Sequence, residues 1–187
     1  MTADTVKSAS ITTLDGTTQQ PPAPTQLTTG IGASGETINH SDFVQASTGG
    51  LASTASTYKL VRLPTRHILK SGDLFTKAGL DSSTGLAVDL GAYYSDSTND
   101  GTPASLQGTL ISANCFVANV AFAQSSLGQK IDALSNLDAS LRNSPLWQQV
   151  GLTADPGGYI DVVLAVHTIA SGTAAAGAVG INFYGVN

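Results

Sequence analysis

Charge, aromatic rings and cysteine are all scarce in this sequence. Charged residues make up 11% of 187, less than half the ~25% of an ordinary soluble domain. Its surface is therefore built from hydroxyls and backbone more than from salt bridges, which suits a protein of a lattice or of the extracellular space. Thirteen acids, twelve of them aspartate, face eight bases, for a net charge of −5. That balance argues against bulk nucleic-acid binding through a basic surface. Cys115 is the single cysteine, which excludes an intramolecular disulfide and a multi-cysteine zinc site and reads as a small buried hydrophobe. No stretch approaches the ~18 apolar residues of a membrane span. Met1 to Lys7 carry no apolar signal-peptide core, so synthesis in the cytoplasm is the expectation.

What is present is strand periodicity, strongest at the end of the chain. Ile160, Val162, Leu164 and Val166 alternate with Tyr159, Asp161, Val163, Ala165 and His167, the period of two that defines a strand with one apolar face. After the small-residue link 169–176, Val179, Ile181 and Phe183 repeat the pattern. These read as two long antiparallel strands at the centre of a β-sandwich. Leu86 to Tyr94 and Asn114 to Gln124 give further strands. Tyr58 to Leu63 gives an early or edge strand that Pro64 interrupts, with Tyr58, Leu60 and Arg62 on one side. Two helices are expected: an amphipathic one through Leu127, Ile131, Leu134, Leu137 and Leu141, and a short one with Ser144 as cap, Pro145 first and Gly151 as stop. Trp147 is expected to plug one end of the sandwich. The fold class is mainly β, an antiparallel, jelly-roll-like sandwich with one or two short helices and an extended N-terminal arm.

Residues 1–57 differ from the rest. They hold twenty Ser or Thr, one aromatic, five charges and the run Gln19-Gln20-Pro21-Pro22-Ala23-Pro24, a composition too poor in apolar surface to offset the entropy of ordering. The expected division is a flexible arm over 1–57 and a sandwich domain over 58–187. Ile31, Ile38 and Phe43 stand along the arm as hooks for a neighbour, and with Pro21, Pro22, Pro24, Arg62 and Arg66 they form the expected partner-contact set. Five of the eight bases, Lys59, Arg62, Arg66, Lys70 and Lys77, fall close together. They read as a docking strip for an acidic partner or as charges guarding an edge strand.

No chemical motif assembles. Gly30, Gly32 and Gly35 match the spacing of a dinucleotide loop but lie between a proline-rich arm and Glu36-Thr37 rather than between strand and helix. Asp96, Thr98, Asp100 and Gly101 imitate the opening of a calcium loop, but its twelfth position is Gln107 and not a bidentate carboxylate. A weak calcium site over 96–107 stays open beside the plainer reading of a turn cluster. His40, His67 and His167 lie far apart without metal-ligand spacing. His167 with Asp161 or Asp89 can be imagined in a triad, though serine and aspartate are so abundant that such a grouping is expected by chance. No enzyme activity, cofactor or metal is expected.

From Tyr58 onward the order of features resembles the decoration, cement or auxiliary head proteins of tailed bacteriophages. The residues carrying the resemblance are Tyr58-Lys59-Leu60-Val61-Arg62-Leu63-Pro64, Val88-Asp89-Leu90-Gly91-Ala92-Tyr93, Pro145 to Leu152 with Asp155-Pro156-Gly157, and the closing strand ending in Phe183-Tyr184. The chain departs from that pattern in its long Thr/Pro-rich arm and in Gly108-Thr109-Leu110-Ile111, where a more acidic segment is expected. The resemblance implies a jelly-roll-like sandwich on the outer surface of the virion, assembly as a homotrimer or other small ring, the major capsid protein as partner, and no catalysis; charge and the lack of apolar runs add the expectation of no nucleic-acid or membrane partner. The alternative is a receptor- or glycan-binding tip of a head or tail fibre, using Tyr93, Tyr94, Tyr159 or Tyr184.

Overall fold

The computed structural model describes residues 3–15, 37–124 and 128–186. Its strands are β1 (Thr5–Lys7), β2 (Thr37–Ala46), β3 (Thr57–Pro64), β4 (Ile68–Thr76), β5 (Ala87–Tyr94), β6 (Leu110–Ala121), β7 (Lys130–Asp132), β8 (Tyr159–Thr168) and β9 (Gly177–Val186). Helices are short: α1 (Ala9–Asp15), α2 (Thr48–Leu51) and α3 (Leu146–Gln149). One sheet has the order β1-β3-β8-β5-β6 and the other β2-β9-β4-β7. All pairings are antiparallel except β1 with β3. The result is the expected β-sandwich. None of the described helices is long and apolar enough to cross a membrane.

The two terminal strands are each central, but in different sheets. Their apolar faces look at one another across the core: Ile160, Val162, Leu164 and Val166 from β8, and Val179, Ile181 and Phe183 from β9, all almost fully buried. Leu60 and Leu63 of β3, Leu69 and Leu74 of β4, Val88 and Leu90 of β5 and Phe116 of β6 complete that layer. Alternation puts every second residue of β8 and β9 in that layer, and register shifts after Lys59 in β3 and after Leu69 in β4 bring Leu60 with Leu63, and Leu69 with Leu74, to the same face.

The edges of the sandwich are blunted. β6 contains neither charge nor proline and would otherwise be an open template for pairing. Asn136 covers part of it, its backbone N–H donating to the Phe116 carbonyl at 2.8 Å and its side-chain amide to the Asn114 carbonyl at 2.8 Å. The Gln129 amide donates to the Ala121 carbonyl at 3.3 Å.

The division at residue 57 is drawn differently by the fold. Described parts of the expected arm are built into both sheets: β1 extends the first sheet by pairing with β3, and β2 pairs with β9 along its whole length. α1 lies against β3 and β2, with Ile11 fully buried. The low apolar content of 1–57 was read as an average, but its few apolar residues are concentrated in register: Val44, Ala46 and Leu51 all enter the core.

The expected helix over 127–141 does not form within its described residues. Lys130–Asp132 adds a strand to β4, the Asp132 carboxylate accepts from Leu134 N–H at 2.8 Å, and Asp138 caps a single 3₁₀ turn at Ala139–Leu141. Aspartates that bond their own backbone two residues on favour turns over helix, and Leu134 and Leu137 reach the core from those turns. The second helix is present as α3, flanked by Pro145 as N-cap without a side-chain cap bond. It stops at Gly151, whose φ of +90° only glycine adopts without strain. Leu146, not Trp147, is the buried plug; Trp147 is half-buried.

Candidate functional site: a buried charge network and an exposed sheet face

The largest departure from the sequence reading lies in β3. Register slips between Lys59 and Val61, so Leu60 is bulged. A bulge inserts one residue and reverses the side-chain alternation after it. Tyr58 and Leu60 point into the core, but Arg62, expected beside them, is turned to the opposite face with Lys59. There it meets Asp161, its cross-strand partner on β8.

Around this meeting point six charges close on one another. Arg62 Nε donates to Asp161 Oδ1 at 2.6 Å and its Nη2 to Asp161 Oδ2 at 3.0 Å. The same guanidinium reaches Asp96 at 2.9 Å and Asp15 at the end of α1. Lys59 lies 3.2 Å from Asp161 and 2.8 Å from Asp96, and Lys7 of β1 lies 2.7 Å from Asp96 and 2.6 Å from Asp15. Asp161 is wholly buried and the Arg62 side chain is 1% exposed. Three cations and three carboxylates balance, which is the condition for holding charge out of water. Burial alone would push Asp96 up, but Lys59 and Lys7 hold its carboxyl well below the usual range. Burial likewise opposes the Arg62 charge, and Asp161 and Asp15 outweigh it, raising Arg62 further. The network ties β1, α1, β3, β8 and the loop after β5 into one unit, so Arg62 is part of the structure and offers no surface to a partner. Lys59, read as edge-strand charge, is buried with it.

Asp81 is a second fixed point, and its signal is absent from the sequence pattern. Its carboxylate, 1% exposed, accepts backbone N–H groups from Ser83, Gly85, Leu86, Ser171 and Gly172 at 3.0–3.1 Å. Desolvation would raise its pKa, but these donors prevail and lower it. It staples the turn before β5 to the link between β8 and β9.

The other expected partner contacts scatter. Pro21, Pro22, Pro24 and Ile31 lie outside the described residues, as do Gly30, Gly32 and Gly35. Ile38 lies on β2, paired with Gly185. Arg66 is exposed and ion-paired with Asp155 at 2.7 Å. Phe43 is 54% exposed on the outward face of the second sheet, in company that sequence reasoning missed: Phe75 is 38% and Tyr184 39% exposed. Phe43 and Phe75 both pair with Gly180 across β9 and flank a cavity of about 460 Å³. Tyr93, Tyr94 and Tyr159 are half-buried.

The chemical near-misses resolve. His40 and His67, far apart in sequence, are stacked edge to face with ring centroids 4.9 Å apart. Burial and the neighbouring His67 push His40 down to about 4. His167 Nδ1 lies 2.7 Å from Asp89 Oδ2 on an exposed site, while Asp161 is held by Arg62 and Lys59 instead. In the turn cluster that imitates a calcium loop the Asp96 carboxylate belongs to the charge network, and the Gln107 amide donates to the carbonyls of Ser97 at 2.9 Å and Thr102 at 3.3 Å. Among the described residues no group of three or more His, Cys, Asp or Glu is placed to hold a metal. Cys115, expected to be buried, is partly buried at the margin of the core, and desolvation pushes its thiol up to about 12.

No protein-family model matches the chain, and no curated protein matches it. Among solved structures, a chain of the "Cyanophage Pam1 capsid asymmetric unit" is similar in fold, with a TM-score of 0.51 and 19% identity. The match covers 84% of this chain and 89% of that one. At that identity the likeness is one of architecture, and it extends over nearly the whole sandwich.

Proposed function

We propose that the chain is a virion structural protein, a decoration or cement protein that binds the outer surface of a phage head and stabilises it. The observation that carries this reading is the fold shared with a chain of a cyanophage capsid, over most of both lengths. Two features of the molecule support it. Its interior charges neutralise one another in the network around Asp161, which ties the N-terminal elements to the first sheet as one unit. Its second sheet presents Phe43, Phe75 and Tyr184 outward on a rigid face, the kind of aromatic patch that marks contact surfaces.

In this reading the protein is not an enzyme and needs no cofactor. It assembles as a homotrimer, and the aromatic sheet face and the segment around Pro21, Pro22, Pro24 and Ile31 meet the major capsid protein. Each contact is weak by itself, but copies fixed in a repeating shell act together, which converts modest affinity into a durable clamp. The test is cosedimentation of the purified protein with undecorated heads, counted per particle. Tens to hundreds of copies per head support the reading; no binding, or a handful of copies, refutes it. Fibre-tip glycan recognition is the weaker reading, because only Tyr184 of its four candidate tyrosines is well exposed.

A further inference from the structure

We infer that the outward face of the second sheet docks an extended acidic segment of a partner protein, one in which an apolar residue and a carboxylate are separated by a single residue. This rests on the shell-docking reading and deepens it by naming the chemistry of the segment the face takes. The Phe75 ring leans over Gly180, where a Cβ would lie 2.5 Å from it, and Phe43 pairs with the same glycine from the other flank of β9. The two rings flank a cavity of about 460 Å³, within the ~300–1,000 Å³ of ligand clefts. Exposed rings beside a glycine floor take up an apolar side chain.

The charge comes from Lys77, which also lines the cavity. Six of the eight bases, Lys7, Lys59, Arg62, Arg66, Lys130 and Arg142, are ion-paired with carboxylates. Lys70 donates to the Asn143 side-chain oxygen. Among the described residues Lys77 alone has no such partner, and it is exposed. The polar groups around it are engaged. The Asp42 carboxylate accepts from the backbone and hydroxyl of Ser10 and from the Phe43 N–H. Thr76 Oγ1 accepts from the Gln129 N–H at 3.2 Å. Next to Phe75 on β4, Asp73 is neutralised by Lys130 at 2.8 Å. The slot thus presents one uncompensated cation beside an apolar cavity, and a carboxylate is its complement.

Spacing fixes the rest. Lys77 directly follows β4 and lies two residues beyond Phe75, at most about 7 Å along the chain. Side chains of an extended peptide return to one face at that same interval. An apolar residue seated beside the rings therefore brings the residue two positions on to Lys77, whereas an adjacent residue points away from it.

Fluorescence anisotropy of the full chain with a labelled hexapeptide, leucine and aspartate separated by one serine, tests this. No heads are present, so the inference can fail while shell binding stands, and the reverse. Saturable binding is expected with a Kd below about 1 mM. Asparagine in place of the aspartate should weaken it about threefold, the range of an exposed ion pair, and serine in place of the leucine about tenfold. Lys77→Glu should reverse the preference, a lysine peptide then binding about threefold better than the aspartate one. Phe43→Ser, at a position already 54% exposed, should weaken every peptide about tenfold with unchanged circular dichroism. No saturable binding by about 1 mM, equal binding of a peptide with leucine and aspartate adjacent, or an unchanged preference in Lys77→Glu each overturns the inference. So does a dimer in sedimentation velocity that Phe43→Ser dissociates, which gives the slot to a second copy.

Discussion

Neutralising Asp161 should unfold this protein more readily than any exposed substitution of comparable size. Asp161→Asn keeps the shape but leaves Lys7, Lys59 and Arg62 facing only Asp15 and Asp96, with an amide donor pressed towards the Arg62 guanidinium. Breaking a buried pair by removing one partner costs about 3–5 kcal/mol. Asp15 and Asp96 still compensate Arg62 in part, which puts the expected loss near the lower end, about 3 kcal/mol. With a urea slope of about 2 kcal/mol/M the unfolding midpoint falls by about 1.5 M. Trp147 is the sole tryptophan and half-buried, so its fluorescence reports the transition. The double variant Arg62→Leu/Asp161→Leu should lose less than the single Asp161→Asn, because it removes both charges together. A midpoint shift under about 0.3 M for Asp161→Asn, or a double variant as damaging as the two singles summed, would refute the account of the network.

Three further outcomes are expected. His40 is held neutral in the fold, with its pKa lowered to about 4; the unfolded chain binds a proton there first, so stability is complete above pH ~6.5 and is lost as pH falls towards 4. Allowing for the partial exposure of the ring, the unfolding free energies from urea titrations at pH 7 and 4.5 should differ by about 1–2 kcal/mol more in the wild type than in His40→Gln. Asp81→Ala strands the five backbone donors it serves, and should cost about 3 kcal/mol with faster amide exchange confined to residues 83–86 and 171–172. Deleting residues 1–50 removes β1, α1 and β2; the remainder should be insoluble or molten by near-ultraviolet circular dichroism, and a cooperative thermal transition in that truncation would contradict the fold.

The strand content, the sandwich and the central place of β8 and β9 were legible in the sequence because they follow from alternation, a local property with period two, whereas their division between two sheets was not. α3 was legible for a similar reason, since Pro145 and Gly151 act within a few residues of where they stand. The helix expected through Leu134 and Leu141 failed at Asp132 and Asp138, whose side chains satisfy nearby N–H groups in turns and so compete with helix at short range. Within 1–57, the pairing of β1 and β2 was not legible because composition averages over a segment, while β2 carries Val44 and Ala46 into the core in register with β9.

What the sequence by itself determined was which residues must leave water, and hence the class of fold. Only the tertiary structure decided where the charges went. A one-residue bulge at Leu60 sends Arg62 to the side where Asp161, 99 positions away, is waiting, and register between distant strands brings Phe43 and Phe75 to either side of Gly180. Both depend on pairing across the whole chain, and no local pattern encodes a partner that distant.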